Sequence, residues 1–187
     1  MACNADVIIS RNLNTKSEGL CQMNPWPVVK HLFDFYDGFP DIKMENLSEG
    51  EMLLVFDTFV SFCEPNHDPK VWSLERRKNA LINEIIHPER EFGEGRFEYF
   101  SHQLTGLRVG GVELFDVDIW AEDDLLALDY KPGDDWDEYR VFALFKLLYQ
   151  LQQQIPGVCF THSYEGCSHP NPEFAKAFKV FCSETKN

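Results

Sequence analysis

Two short stretches set carboxylates, an amine and an indole at alternating positions: "FDVDIWAE" (Phe115 to Glu122) and "LALDYK" (Leu126 to Lys131). Side chains of an extended chain alternate between two faces. Asp116, Asp118, Trp120 and Glu122 therefore share one side of the first stretch, and Asp129 and Lys131 share one side of the second. With Asp123 and Asp124 as a two-residue hairpin turn, Asp118 lies opposite Asp129 and Asp116 opposite Lys131. A loop one residue longer sets Val117 opposite Asp129 instead, and Asp123-Asp124 lacks the glycine that tight turns prefer. Like charges placed directly opposite one another destabilise a sheet, so such a face calls for a cation, a basic partner or bulk water. Two chemistries follow: a divalent metal held between carboxylates that activates water, or a charged surface that steers a basic macromolecule into contact.

The metal chemistry has a family counterpart. A carboxylate on one strand followed on the next by acid-x-Lys resembles the catalytic core of the PD-(D/E)XK nucleases. Asp118 stands for the first acid, and Asp129, Tyr130 and Lys131 for the acid-x-Lys. The order helix, three strands, helix, strand between Glu84 and Thr161 is similar to that family's. The resemblance implies that Asp118 and Asp129 hold Mg or Mn, that Glu84 on a preceding helix adds a ligand, and that Lys131 stabilises developing charge. The sequence departs from the family at "FDVD", where the Pro-Asp dipeptide would fall.

Charge favours the binding chemistry. Residues 113–138 carry eleven carboxylates against the single base Lys131, a net of −10 out of −14 for the whole chain. A nucleic-acid partner requires a basic face, and "LERRKN" (Leu74 to Asn79) is the only cationic cluster. Direct nucleic-acid binding is therefore not expected. Aromatic residues among the acids supply anchors beside steering charges. Asp116, Asp118, Trp120, Glu122, Asp129, Tyr130 and Trp136 form the expected partner-binding set. The expected function is that of a non-enzymatic acidic binding protein with no cofactor. Immunity proteins that neutralise basic nuclease toxins, and proteins that mimic DNA, work by the same physics; no matched motif links this chain to either.

Other constellations have ordinary explanations. Asp134 to Glu138 read as a helix start, with Asp135 as cap and Glu138 completing a capping box, where acids suit the positive end of the helix dipole. Cys159, His162, Cys167 and His169 fall within eleven residues, but their spacing is not one of the paired hooks of structural zinc. Cys159 and Thr161 are expected on the opposite sheet face from Phe160 and His162. Buried cysteine with loop histidine accounts for them. No phosphate-binding glycine loop, nucleophile elbow or zinc-protease helix occurs.

The framework around these residues reads as one α+β domain, residues 25–187, behind a polar arm, residues 1–24. We expect a mostly antiparallel central sheet of about four strands, with helices packed largely on one side. Helices are expected from about Pro27 to Tyr36, after Ser48 with a capping box to Glu51, from Pro69 to His87, from Asp135 to Gln154, and after Asn171 and Pro172. Strands are expected near Arg96–Leu104, Val109–Ala121, Leu125–Lys131 and through "VCFTH". The two glycines of "LRVGGVE" suggest a bulge or a close backbone approach. Six cysteines suit reduced, mostly buried thiols. With no signal peptide and no apolar run near the roughly 20 residues a bilayer span needs, a cytoplasmic protein away from membranes is expected.

Overall fold

The computed structural model describes residues 24–34, 38–64, 70–73, 77–81, 100–115, 117–122, 125–164, 167 and 169–185. Among the described residues the helices are α1 (Trp26–Phe33), α2 (Glu49–Ser61), α3 (Glu138–Gln154) and α4 (Pro172–Thr185). The strands are β1 (Asp41–Glu45), β2 (Lys70–Ser73), β3 (Lys78–Leu81), β4 (Phe100–Gln103), β5 (Arg108–Val109), β6 (Val112–Glu113), β7 (Val117–Glu122), β8 (Leu125–Tyr130) and β9 (Cys159–Ser163). Apart from Asn24, the expected polar arm lies outside the described residues. No described helix is long and apolar enough to cross a membrane.

The main sheet has five strands in the order β4-β7-β8-β1-β9, all neighbours antiparallel. This confirms the α+β class and adds a strand to the expected four. The addition is β1, whose "DIKME" alternates between the two faces and lies between β8 and β9. On the inner face Ile42, Met44, Val117, Ile119, Leu126, Leu128, Tyr130, Phe160 and His162 are buried. The helices close over that face: Val29, Leu32 and Phe33 of α1, Val55 and Phe59 of α2, Phe145, Leu148 and Leu151 of α3, and Phe174, Phe178 and Phe181 of α4 share one apolar core. Edge-on ring packing, as between Phe145 and Phe174 at 5.3 Å, adds to the area those rings remove from water.

Local signals explain several boundaries. Ser48 donates from both its backbone N–H and its hydroxyl to Glu51 Oε2, at 2.8 and 2.6 Å, fixing the start of α2. These bonds hold the Glu51 carboxyl below its usual pKa.

Three expectations need correction. Residues 70–73 and 78–81 pair as the antiparallel strands β2 and β3, so the helix expected from Pro69 to His87 does not form there; residues 69, 74–76 and 82–87 lie outside the described ones. The Asp68-Pro69 start signal is local, whereas strand pairing of Lys70 with Leu81 and Trp72 with Asn79 satisfies the backbone non-locally. The glycines of "LRVGGVE" form the tight turn of a separate β5-β6 hairpin, not a bulge in one long strand. Gly110 and Gly111 both take positive φ, at 60° and 85°, as a two-residue turn of this hand requires. The α3 cap is Asp137 rather than Asp135: its Oδ1 accepts from Arg140 N at 2.8 Å. The helix therefore starts at Glu138.

Candidate functional site: an aspartate row on the outer sheet face

The pairing of β7 with β8 sets Asp118 opposite Asp129 and Trp120 opposite Ala127, the register expected for a turn at Asp123-Asp124. Strand β1 extends this row. Asp41 stands opposite Asp129 on its other side, so Asp118, Asp129 and Asp41 form one line across three adjacent strands. Gln103 of β4 and Ser163 of β9 end the line at either edge. The adjacent row on this face runs Trp120, Ala127, Lys43, Thr161.

On this outer face Asp118, Trp120, Asp129 and Thr161 are partly exposed, whereas Ala127 at its centre and Ser163 at its edge are buried. Asp41 retains 15% and Lys43 31% of its side-chain exposure, and their charged atoms are 3.9 Å apart. The indole N–H of Trp120 donates to Asp129 Oδ1, and Thr161 Oγ1 donates to Glu45 Oε1 at 3.2 Å. Four described carboxylates, Asp41, Glu45, Asp118 and Asp129, thus share the face with one lysine. Neighbouring strands are about 4.8 Å apart, close enough for like charges opposite one another to cost a few tenths of a kcal/mol to about 1 kcal/mol per pair. The indole bond and Lys43 offset part of that cost.

Among the other expected site residues, Asp116 and Glu84 lie outside the described residues, as does the side chain of Glu122. Tyr130 and Trp136 do not belong to the face. Both are buried, at 1% and 6% exposure, because the alternation that turns Asp129 outward turns Tyr130 into the core. Phe33 stacks on Tyr130 at 5.0 Å and packs against Trp136 at 4.8 Å, and Trp136 Nε1 donates to Lys131 O at 2.9 Å. Lys131 itself is exposed. Sequence reasoning missed Asp41. Its signal was present in the alternating Asp-x-Lys-x-Glu of "DIKME", but nothing local says that this strand pairs with β8.

Below the sheet, Tyr130 anchors a polar chain in the core. Its hydroxyl is 2.9 Å from Leu32 O and 2.8 Å from His162 Nε2, and His162 Nδ1 is 3.1 Å from Asn171 Nδ2. One assignment satisfies every atom. Tyr130 donates to the Leu32 carbonyl and accepts from Nε2–H, leaving Nδ1 to accept from Asn171. His162 is therefore neutral, and burial, with His31 as a second cause, lowers its pKa to about 4. Burial first, then Tyr164 and Asp41, pushes Tyr130 well above the ordinary phenol range.

The possible zinc donors do not converge. His162 is committed on both nitrogens, Cys159 lies on the opposite face of β9, and Cys167 and His169 are exposed. Among the described residues no three His, Cys, Asp or Glu side chains are gathered so as to hold a metal ion. Of the four described cysteines only Cys182 is buried, correcting the expectation that most would be. No protein-family model, curated protein or solved structure matches the chain.

Proposed function

We propose that this chain is an acidic, non-enzymatic binding protein of the inhibitor or immunity type, and that it takes up a basic protein on the outer face of its sheet. The row Asp118–Asp129–Asp41 carries the reading. Three carboxylates stand in line across adjacent strands, and such a row attracts cationic side chains arriving from a partner. Trp120, half-exposed beside the row, supplies apolar contact next to the charges. A basic toxin is a partner of the right chemistry. The described cysteines are free thiols, which suits the cytoplasmic setting of this reading.

The alternative reading, metal-dependent nuclease chemistry with Mg or Mn, draws on the facing pair Asp118 and Asp129 and on Lys131. The two part company in one experiment. Host extract is passed over the immobilised wild-type chain and over the Asp41→Asn, Asp118→Asn, Asp129→Asn variant, at low and at high salt. A basic protein held by wild type, released by salt and lost on the variant is the expected result. The same protein retained on the variant would remove the site from this face. A rise in melting temperature with Mg or Mn, together with nucleic-acid cleavage that Lys131→Ala stops, would replace the binding reading with the enzymatic one.

A further inference from the structure

Among the described residues five large apolar side chains are exposed, and three of them, Phe39 (52%), Phe115 (38%) and Tyr139 (66%), lie in segments at the end of the sheet that carries the aspartate row: just ahead of β1, just ahead of β7 and in the first turn of α3. The strand order explains why. Strand β7 starts at Val117, β8 ends at Tyr130 and β1 starts at Asp41, so all three meet at this end. Phe115 lies just ahead of β7 and Phe39 just ahead of β1, where Pro40 O accepts from Tyr130 N at 3.4 Å. Two strand spacings separate their strands, roughly 10 Å. Arg140 brings the start of α3 alongside. Its guanidinium sits 4.6 Å over the Phe115 ring, its Nε donates to Glu113 O at 3.2 Å, and its Nη1 donates to Asp135 O and to Asp137 Oδ2. Nε and Nη1 of Arg140 are thus engaged within the chain, while Asp134 and Asp135 remain exposed on the same turn.

We infer that Phe39, Phe115 and Tyr139 form the apolar part of the docking surface whose charged part is the aspartate row, an inference that rests on the binding reading above. The occupant is a protein segment in which an aromatic or long aliphatic side chain is flanked by lysines or arginines. Charge complementarity selects the flanking cations, and three large apolar side chains exposed beside acids select the residue between them, as anchors in interfaces do.

Two synthetic peptides of equal length and lysine content test it, one with glycine and the other with phenylalanine between the lysines, each titrated at low salt. The phenylalanine peptide should bind the wild-type chain about tenfold more tightly, as one anchor contact would give. Phe39→Ser with Tyr139→Ser should abolish that preference and leave the glycine peptide's affinity unchanged. Both positions are more than half exposed, so the fold is not at stake, and the melting temperature checks this. Equal binding of the two peptides, or a preference that survives the serine variant, overturns the inference and leaves the acidic face standing. Binding of neither peptide overturns the acidic-face reading, and the inference with it.

Discussion

Asp118 stands directly opposite Asp129 in the pairing of β7 with β8. Like charges directly opposite one another destabilise a sheet. Neutralising one member should therefore stabilise the fold: Asp118→Asn should raise unfolding free energy by a few tenths of a kcal/mol to about 1 kcal/mol at low ionic strength. Added salt should shrink the gain. Urea denaturation at two salt concentrations checks this, and a destabilised variant would show that Asp118 is held by bonds worth more than the repulsion.

Tyr130→Phe should act in the opposite direction. The hydroxyl links Leu32 O to His162 Nε2 in the buried core, so its loss strands a carbonyl and an imidazole N–H. A cost of about 1–3 kcal/mol is expected, read from the urea midpoint with an unchanged slope. A neutral outcome would contradict the assigned direction of these bonds.

The pH dependence of stability should carry the mark of His162. Its folded pKa, about 4, lies below the ordinary 6.5. As pH falls below 6.5 the unfolded chain takes up the proton first, so stability declines from there and the decline ends near pH 4. The full loss is on the order of 3 kcal/mol. His162→Gln keeps an N–H for Tyr130 and an oxygen acceptor but does not titrate. Its stability should fall less steeply between pH 7 and pH 5 than that of wild type, and parallel curves would refute the neutral, buried assignment.

Thiol reactivity should separate the cysteines. Burial, reinforced by Glu64, pushes the Cys63 thiol up to about 11, which leaves little reactive thiolate at neutral pH. Cys159 and Cys167 are exposed, and Cys182 is buried. Iodoacetamide followed by peptide mass spectrometry should find Cys159 and Cys167 modified first. Cys63 labelling as fast as Cys159 would contradict its placement.

What the sequence disclosed, and what it concealed, follows from the range of each interaction. The Asp118–Asp129 register was only half legible. A period of two puts both acids on one face. The sequence left a two-residue turn and a loop one residue longer, with Val117 opposite Asp129, equally open, because the glycine that tight turns prefer is missing. The outward Cys159 and Thr161 against the inward Phe160 and His162 were readable because a period of two is local, as was the Ser48–Glu51 cap. Asp41 was not, because β1 joins β8 and β9 through pairings distant in sequence. The β2-β3 pairing was hidden by the strong local helix signal of Asp68-Pro69. Tyr130 and Trp136 were misplaced by composition: aromatic residues among acids suggested exposed anchors, while strand parity already sent Tyr130 to the core. The exposed aromatics prove to be Phe39, Phe115 and Tyr139.

The central claim is that the aspartate row receives cationic groups. It is tested most directly by following backbone amides and the Trp120 indole N–H by NMR while a lysine-rich peptide is added at low salt. Shifts concentrated at Asp41, Lys43, Asp118, Trp120 and Asp129, and absent in the Asp41→Asn, Asp118→Asn, Asp129→Asn variant, are the predicted result. Unmoved resonances on this face, or shifts confined to other parts of the chain, would contradict the claim.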